Sequence, residues 1–556
     1  MLDRLRHPRP AVLLEASLLA LVLAAGLVLR LRHNDYGLPY SYVADENTHF
    51  TVHAARMFDE GPNPGYFRNP SAFTYLLHGL LRLGALGPLS GVADAPDPYR
   101  AFLLDPTPFF VTGRTLAALL CAVAVVAVYA VGRRLWGTRE GLVAAAALAF
   151  AFLPVAYSRM ALTDTGALIG VPIALLGAVR ALEGGRLRAF ALSGAGAGVA
   201  IGFKYTSGSV LLALLVAAIV ALRRRPARWR RTLVGLAVGA VVAALVFTLT
   251  TPFFFADLGA SLDNLANQAE IIAGQQKVGQ GAGSGFAYYL DTLGWGFGIA
   301  AGVAALAGAV VLLRRDPARA AVVLVFPVFL LVYLSSQARF FARYLLPIYP
   351  VLALLCGVAL VAAVDLLRVG TRARVAALVL LTLLVVAQPL AADVRTMRLL
   401  GREHTLSAAR QHLARSYPRG TRVELPQGAT RTDRIVPQSW YLDTHGDRRV
   451  RRFPEDPQLT ANRLKPGHVD RFRRTGFCLV MTTSLDEGRA RASGRPEARA
   501  YYDRLARESR VVFVADPFEP GAARPPFHYD RSYLYASPAY ERPGPLVRMR
   551  RLDRCA

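Results

Sequence analysis

Lysine and cysteine are both scarce in this chain of 556 residues. Only three of its 65 basic residues are lysines, Lys204, Lys277 and Lys465, and the other 62 are arginines, a bias that indicates GC-rich coding more than chemistry. The four cysteines are equally uninformative, because two of them lie inside apolar runs. Cys478 and Cys555 fall in a polar region predicted to lie outside the membrane. A disulfide is chemically permitted there, although spacing alone does not establish one.

Acidic residues are outnumbered 38 to 65, which gives a formal net charge of +27. Such a charge is typical of nucleic-acid-binding proteins, but its distribution here argues against that function. The arginines cluster between apolar runs, within 133–139, 180–188, 223–231, 314–319 and 368–374. Because Lys and Arg accumulate in the cytoplasmic loops of membrane proteins, these segments predict loops inside the cell and no nucleic-acid partner.

Apolar runs fill most of the first 390 residues, and about 17–25 such residues suffice to cross a bilayer. Eleven spans are predicted: 11–30, 109–132, 140–157, 161–180, 189–203, 206–222, 232–250, 289–313, 320–336, 344–367 and 374–391. The fifth is short and contains four glycines, which favours close helix packing. The first ends in Arg30-Leu31-Arg32 and lacks a small-residue cleavage site, so it is predicted to be an uncleaved anchor. An odd number of spans places the N-terminus inside and the C-terminal region outside.

An acidic pair, Asp45-Glu46, follows the first span and heads a polar loop over residues 31–108. Most connections between spans are short, so a long loop that begins with adjacent carboxylates indicates a function. Two carboxylates in different surroundings can act as a base and as a hydrogen-bonding group. The alternative is helix capping, since Asp is favoured at helix N-termini. Helices are predicted along the membrane surface over Glu46–Met57 and Phe73–Leu83.

Further charged residues are predicted at the same membrane face. Arg159 and Asp164 share a short connection between spans, where they either pair with each other or serve a substrate pathway. Lys204 lies in the turn between spans five and six, where its compact charge suits the binding of a phosphate. The alternative is that its side chain only extends to place the charge at the membrane–water interface. Arg339 and Arg343 lie at the start of span ten. Together these cations predict a pocket that faces the acids.

A metal site is a weaker hypothesis for the first loop. On a helix Glu46, His49 and His53 share one face, because they are three and four residues apart. Carboxylate and imidazole groups are ligands for a divalent metal. The alternative is that both histidines are interfacial side chains.

After Ala391 the composition becomes polar, and residues 392–556 are numerous enough to form a core of their own. Helices are predicted over His404–Tyr417 and Glu497–Glu508. Strands are predicted over Arg422–Leu425, Phe477–Met481, Val511–Val514 and Leu546–Met549. These elements predict a small α/β domain, whose sequence has no repeat, Gly-rich phosphate loop or metal-spaced Cys/His set. Accessory acceptor binding is one hypothesis for it.

The order of these motifs resembles that of the GT-C-fold glycosyltransferases that use lipid-linked sugars, in the branch with the protein O-mannosyltransferases and the bacterial aminoarabinose transferase. The resemblance covers about residues 10–391. It rests on Ala44-Asp45-Glu46, Asn69-Pro70-Ser71-Ala72-Phe73-Thr74-Tyr75-Leu76, Arg159…Asp164, Gly202-Phe203-Lys204-Tyr205-Thr206, Thr251-Pro252-Phe253…Asp257 and Arg343-Tyr344-Leu345-Leu346-Pro347. Many relatives have Lys-Pro-Pro where this chain has Arg68-Asn69-Pro70-Ser71, so donor or acceptor handling is expected to differ.

The resemblance implies a polytopic α-helical membrane protein with about 11 transmembrane helices and a GT-C catalytic domain over residues 1–391. Residues 392–556 would form an extracytoplasmic α/β domain. The implied reaction is an inverting transfer of a sugar from a polyprenyl-phosphate donor to an acceptor hydroxyl outside a bacterial cytoplasmic membrane. It implies no nucleotide site and no required cofactor, although a divalent metal stays possible. The acceptor, whether glycan, lipid or protein, is not indicated.

The resemblance also implies roles for individual residues. Asp45 is the general base, and Glu46 and Asp164 orient acceptor or sugar hydroxyls. Lys204 and Arg343 hold the departing lipid phosphate. The remaining substrate-binding residues are Arg159, Tyr205, Arg339 and Tyr344.

Two other classes of protein are alternatives. A secondary transporter would also have many apolar spans, with Asp164 or Lys204 relaying ions, but transporters tend to show paired halves, and no repeat is visible here. A non-catalytic membrane scaffold for the C-terminal region is the third possibility, against which the Asp45-Glu46 loop argues.

Overall fold

The computed structural model describes residues 10–40, 42, 45–46, 48–84, 97–280, 283–418, 421–424 and 464–555. Within these residues, nine helices are long and apolar enough to cross a membrane. The helices of the membrane part are Pro10–Leu31, Thr107–Leu135, Thr138–Ala149, Phe152–Tyr157, Ala167–Gly184, Leu187–Phe203, Leu211–Arg224, Trp229–Thr250, Gly285–Leu293, Ile299–Arg315, Pro317–Ser335, Tyr349–Asp365 and Thr371–Leu400.

Tighter or wider turns extend several of these helices at one end. Turns of the 3₁₀ type cover Thr163–Gly166, Tyr205–Val210, Pro226–Arg228 and Ala342–Ile348. A π-type turn, Gly294–Gly298, joins two helices into one continuous span. With these extensions, a helical element lies at each of the eleven predicted spans, although two of them fall below the length of a full membrane crossing.

The third predicted span, 140–157, is broken in the structure. Its first helix ends at Ala149 and the second begins at Phe152. Pro154 accounts for the break, because its ring has no N–H and would clash with the carbonyl four residues earlier, at Phe150. The break directs the short Phe152–Tyr157 helix and the following turn toward the site described below.

The glycines of the fifth predicted span pack as the sequence indicates. Gly196 of helix Leu187–Phe203 lies against the backbone of Gly170 and Ala174, and Gly194 lies against the backbone of Gly239. A Cβ atom at either glycine would overlap these backbone atoms. Small residues let helices approach closely in a membrane, where the hydrophobic effect does not drive helices together.

The chain outside the spans forms short helices near one end of the membrane part. They are Phe50–Arg56, Ala72–Leu83 and Pro98–Leu104 in the first loop, and Phe253–Ala256 and Leu258–Gly274 in a second loop. Phe73–Leu83 is confirmed as a helix with one added residue. Glu46–Met57 is only partly helical, because residues 45, 46, 48 and 49 form turns and the helix begins at Phe50.

The C-terminal region forms the predicted α/β arrangement. Its helices are Thr405–Ser416, His468–Arg474, Ser484–Ala492, Pro496–Arg507 and Tyr529–Tyr533, and its strands are β1 (Val423–Glu424), β2 (Leu479–Thr483), β3 (Ser509–Ala515) and β4 (Val547–Leu552). The strand order is β1-β2-β4-β3, with β1 and β2 parallel and the other pairs antiparallel. Cys478 and Cys555 form a disulfide. Residue Leu425 of the first predicted strand lies outside the described residues.

Two features connect the C-terminal sheet domain to the membrane part. Helix Thr371–Leu400 continues past residue 391, the predicted domain boundary. Leu534 packs within the main apolar core of the membrane part. The two regions therefore share a packed interface next to the loops.

Candidate active site

Asp45 forms an ion pair with Arg343, a residue 298 positions later in the chain. Arg343 Nη1 donates to Asp45 Oδ2 at 2.5 Å. The other carboxylate oxygen, Oδ1, lies 3.6 Å from Nε2 of His49. The Asp45 side chain remains 39% exposed, so this carboxylate is open to an incoming molecule.

The surroundings of Asp45 act on its acidity in opposite directions. Burial raises the pKa of the carboxyl, but the Arg343 guanidinium, the His49 ring and the hydrogen bond from Arg343 together lower it by more, to about 2. Asp45 is therefore ionised at neutral pH. While Arg343 holds it, the carboxylate is a weak base.

Lys204 links Arg343 to a second carboxylate. Its Nζ donates to the Asp164 carboxylate and also to the Arg343 carbonyl oxygen, the latter at 3.1 Å. The fold brings these residues together because Thr163 Oγ1 donates to the Phe203 carbonyl at 2.9 Å, which joins the two turns that carry Asp164 and Lys204. Their side chains are only 8% and 12% exposed.

Aromatic rings support the two cations of the site. Lys204 Nζ lies 5.1 Å from the centroid of the Tyr344 ring, and the Arg343 guanidinium carbon lies 5.9 Å from the same centroid. The Phe341 ring lies 5.2 Å from that carbon. Cation–π contacts of this kind are attractive and hold a charge in place while leaving its polar hydrogens available. The structure thus brings Asp45, Asp164, Lys204, Arg343 and Tyr344 into one connected cluster.

Glu46 occupies a different place from the one predicted, and this is a correction. Its side chain is fully buried and accepts two hydrogen bonds from Arg114, from Nε at 2.7 Å and from Nη2 at 2.8 Å. It also accepts from the backbone N–H of Ala161 at 2.8 Å. The buried carboxylate therefore connects the first loop to the membrane helices.

Arg159 also departs from its predicted place. Its guanidinium donates to the Leu29 carbonyl, and its charge interacts with Asp393. It is 2% exposed, and no hydrogen bond or ion pair to Asp164 is found among the described residues. Neither of the two sequence interpretations, pairing with Asp164 or lining an external pocket, describes this position. Asp393 could not be predicted from the sequence as the partner of Arg159, because it lies more than 200 residues away.

Arg339 and Tyr205 lie beside the cluster and are occupied by backbone contacts. Arg339 Nε donates to the Gln275 carbonyl at 3.1 Å, across the second loop. Tyr205 OH donates to the Phe67 carbonyl at 3.0 Å. Both side chains support the loops around the site, and their predicted contact with substrate stays a prediction.

The hypothetical metal ligands do not come together. Glu46 is bound to Arg114, as described above, whereas the rings of His49 and His53 both stack on Tyr66, with centroids 5.2 and 4.7 Å away. Burial lowers the pKa of His53 to about 4. In the part of the chain that the structure describes, no group of three or more His, Cys, Asp or Glu side chains is arranged to hold a metal ion.

Asp530 is a residue of the site that the sequence did not reveal. It lies in helix Tyr529–Tyr533 of the C-terminal region and is 4% exposed. Its Oδ2 accepts from the backbone N–H of Ala342 at 3.2 Å, next to Arg343. The one available signal was the aromatic stretch Phe527-His528-Tyr529-Asp530-Arg531-Ser532-Tyr533, because aromatic residues in a polar region indicate burial.

Comparison with known proteins places this geometry in a known architecture. Residues 110–250 match the family described as dolichyl-phosphate-mannose-protein mannosyltransferase. The apo oligosaccharyltransferase of Archaeoglobus fulgidus matches with a TM-score of 0.54 and 12% identity, over 89% of this chain and 73% of that chain. The fold is the GT-C fold. ArnT from Cupriavidus metallidurans bound to undecaprenyl phosphate has the same architecture, with a TM-score of 0.50 and 15% identity over 98% of both chains.

The GT-C fold confirms the predicted architecture of many membrane helices followed by a small sheet domain. A third structure of this fold, AglB from Archaeoglobus fulgidus in complex with an inhibitory peptide and a dolichol-phosphate, matches with a TM-score of 0.50 and 13% identity, over 91% of this chain and 73% of that chain. None of the curated protein sequences compared with this chain matches it. The family match over residues 110–250 agrees with the prediction of a glycosyltransferase in the membrane part. The transporter alternative receives no support.

Proposed function

We propose that the protein transfers a sugar from a polyprenyl-phosphate donor to an acceptor hydroxyl on the outer side of a bacterial cytoplasmic membrane, with inversion at the anomeric carbon. The observation that carries this proposal is the cluster of Asp45, Arg343, Lys204 and Asp164 at one face of the membrane part. One structure of the same fold binds undecaprenyl phosphate and another binds a dolichol-phosphate. This cluster offers an incoming phosphate two cations, Lys204 and Arg343, each of which is paired with a carboxylate.

The sidedness of the reaction follows from the arginine distribution. The arginine-rich segments lie at the opposite helix ends from Asp45, so the positive-inside rule puts Asp45 and the C-terminal sheet domain outside and the N-terminus inside. A reporter enzyme fused after Ala556 tests this orientation. It should be active only when the reporter is of a type that works outside the cytoplasm.

Asp45 acts in this reaction as the general base. It removes the proton of the acceptor hydroxyl while the hydroxyl oxygen attacks the anomeric carbon. The bond between that carbon and the phosphate oxygen breaks on the opposite face, and polyprenyl phosphate leaves with the bonding electrons. A positioned base contributes about 10²–10⁴-fold to a rate of this kind.

Because Arg343 is paired with Asp45 in the absence of a donor, donor binding should also change the basicity of Asp45. An incoming phosphate competes with Asp45 for Arg343, since a planar guanidinium binds phosphate and carboxylate in the same way. Once Arg343 turns to phosphate, the group that lowers the pKa of Asp45 most is withdrawn, and burial, which raises that pKa, prevails. Asp45 therefore becomes a stronger base only when a donor is present.

Lys204 and Arg343 stabilise the leaving group. Negative charge grows on the phosphate as the glycosidic bond breaks, and fixed cations at that position stabilise the transition state more than the ground state. Asp164 holds Lys204 in place and remains a candidate for orienting sugar hydroxyls. Because the protein itself supplies two positive charges here, we propose that no divalent metal is required.

A panel of polyprenyl-phosphate sugars tests the function directly. The purified protein is incubated with each donor and an envelope extract as acceptor, and mass spectrometry measures the released polyprenyl phosphate. We expect release from at least one donor by the wild-type protein and by Lys465→Ala, a matched control at an exposed lysine. Lys204→Ala should lower release by about 10²-fold or more. If no donor is consumed, or if Lys204→Ala equals the control, the proposed function is wrong.

A further inference from the structure

Among the described residues, the short helix Tyr529–Tyr533 of the C-terminal sheet domain lies next to Arg343 of the candidate active site. Helix Tyr529–Tyr533 lies against the turn Ala342–Ile348, which carries Arg343. The Tyr529 ring packs edge-on to the Phe341 ring, with centroids 5.5 Å apart. No motif in the sequence connects these two segments, which are almost 200 residues apart.

Asp530 makes a specific connection inside this contact. Oδ2 accepts from the Ala342 N–H at 3.2 Å, and Oδ1 accepts from the Tyr157 hydroxyl at 3.4 Å. Tyr157 ends the short helix after the break in the third span, whereas Ala342 begins the turn of Arg343. A single carboxylate from the sheet domain therefore holds together two segments of the membrane part.

Neighbouring contacts fix the position of this carboxylate. On the other side of the helix, Arg531 Nη2 donates to Asp291 Oδ1 at 2.5 Å, and His528 Nε2 lies 3.7 Å from Asp291 Oδ2. The His528 ring also stacks on Tyr288 at 5.9 Å. The Arg531 and His528 side chains are thus engaged with Asp291, and Asp530 is held toward Ala342 and Tyr157.

The position of Ala342 decides what Asp530 can affect. Arg343 is the next residue, and it makes two of the contacts that define the site, to Asp45 through its guanidinium and to Lys204 through its carbonyl oxygen. A shift of the Ala342 backbone moves both contacts together. Misplacement of reacting groups by about 1 Å can cost on the order of 10²-fold in rate.

We propose that Asp530 is a positioning residue of the glycosyl transfer reaction, through which the C-terminal sheet domain holds Arg343 in register with Asp45 and Lys204. This inference rests on the proposed function, since its kinetic effect is read as transfer. It gives the sheet domain a role inside the active site, in addition to any binding of acceptor.

The charge state of Asp530 makes this positioning sensitive to pH. Burial raises the pKa of Asp530, and the hydrogen bonds from Ala342 and Tyr157 lower it, with a result of about 7. The charged or titratable groups that face it are the Tyr157 hydroxyl and the Asp45 carboxylate, and Arg343 acts on both of these neighbours. When Asp530 is protonated, the Ala342 N–H loses a charged acceptor, so transfer should weaken as the pH falls below about 7.

The test compares Asp530→Ala and Asp530→Asn in the full-length protein, with Glu519→Gln as a control at an exposed acid of the same domain. Asp530→Ala should lower kcat about 10–100-fold. Asp530→Asn keeps an oxygen acceptor for Ala342 but no charge, so its kcat should lie between those of Asp530→Ala and the wild-type protein, match the wild-type protein at acidic pH and lose the change in activity near pH 7. A role in stability alone would not change the shape of the pH profile.

Backbone hydrogen exchange reports the contact independently of transfer. Peptides that contain Ala342 should exchange faster in Asp530→Ala than in the wild-type protein, and exchange in Asp530→Asn should lie between the two. Unchanged exchange in Asp530→Ala, a wild-type kcat in that variant or an unaltered pH profile in Asp530→Asn would overturn the inference. If the wild-type protein consumes no donor, the proposed function fails, and exchange at Ala342 still decides whether Asp530 holds this turn.

Discussion

Asp45 and Glu46 are neighbours in the chain, and each pairs with an arginine, yet the two ion pairs differ in almost every other respect. The Glu46–Arg114 pair is 0% and 1% exposed and has a further hydrogen bond from the backbone of Ala161. In the Asp45–Arg343 pair, the two side chains are 39% and 18% exposed. We call these the sealed pair and the open pair.

The difference in exposure between the two pairs indicates which carboxylate can take part in the reaction. In the sealed pair both charges are fully satisfied, and no route to them is left for a substrate. In the open pair one carboxylate oxygen lies 3.6 Å from His49 Nε2, and the guanidinium can bind another anion. The same two residue types therefore serve structure at one position and reaction at the next.

Breaking the sealed pair should have the largest effect, because it acts on folding itself. Arg114→Met leaves Glu46 buried without its bidentate partner, and removal of one member of a buried pair typically costs about 3–5 kcal/mol. We expect little folded protein in detergent, measured by size-exclusion chromatography and thermal unfolding. Arg139→Met is the matched control, because it removes an exposed pair with Asp365, and exposed pairs are worth about 0–1 kcal/mol.

Breaking the open pair should affect turnover and spare the fold. Arg343→Gln removes a cation from the leaving phosphate, which should lower kcat about 10²–10³-fold. The unfolding temperature should fall far less than in Arg114→Met, since the Asp45 side chain is 39% exposed and can be solvated. Arg402→Gln, which opens an exposed pair with Glu541, is the control. A large loss of stability in Arg343→Gln would erase the distinction between the two pairs.

The pattern of spans could be predicted from the sequence because it depends on local composition. The length and polarity of runs such as 109–132 and 206–222 can be read directly from the sequence. The arginine-rich segments indicate on which side of the membrane each loop lies. Even the close packing of Gly194 and Gly196 was visible, since small residues have one main use in such helices. The break at residues 150–151 was missed, although Pro154 was a local signal for it.

The site was only half visible, because its geometry depends on contacts between distant segments. Asp45, Lys204 and Arg343 were recognised by residue type and position, and the structure brings them together. Nothing local distinguishes Glu46 from Asp45, and only the fold places Arg114 over one of them. Asp530 was not predicted for the same reason, since its partner is the backbone N–H of Ala342, which no sequence pattern indicates.

Asp530, a third carboxylate, differs from Asp45 in how its ionisation changes the stability of the fold with pH. The pKa of Asp530 is raised to about 7 from 3.8, so its contribution to stability is present below pH 3.8 and is lost as the pH rises through 7. For Asp45, whose pKa is lowered to about 2, the contribution is present above pH 3.8 and is lost as the pH falls through 2.

Unfolding temperatures measured between pH 5 and 8 therefore report the contribution of Asp530 to stability separately from that of Asp45. The wild-type protein should lose a few degrees across this range relative to Asp530→Asn, whereas Asp45→Asn should show the wild-type slope. Equal slopes in the wild-type protein and Asp530→Asn would show that Asp530 ionises normally.

Metal removal should have the smallest effect, since Arg343 and Lys204 supply the positive charges that stabilise the leaving phosphate. Treatment with EDTA should leave the transfer rate within about twofold of the untreated protein, and added Mg²⁺ or Mn²⁺ should not raise it. A loss of activity that a divalent metal restores would contradict this view and would point to ligands other than Glu46, His49 and His53.

The most direct test of the central claim is the single-turnover rate of Asp45→Asn beside that of Asp59→Asn, a control at an exposed acid of the same loop. If Asp45 is the base released from the open pair by donor, its variant should transfer sugar about 10²–10⁴-fold more slowly while the protein remains folded. The control should be unaffected. A rate in Asp45→Asn that equals the control would contradict the account.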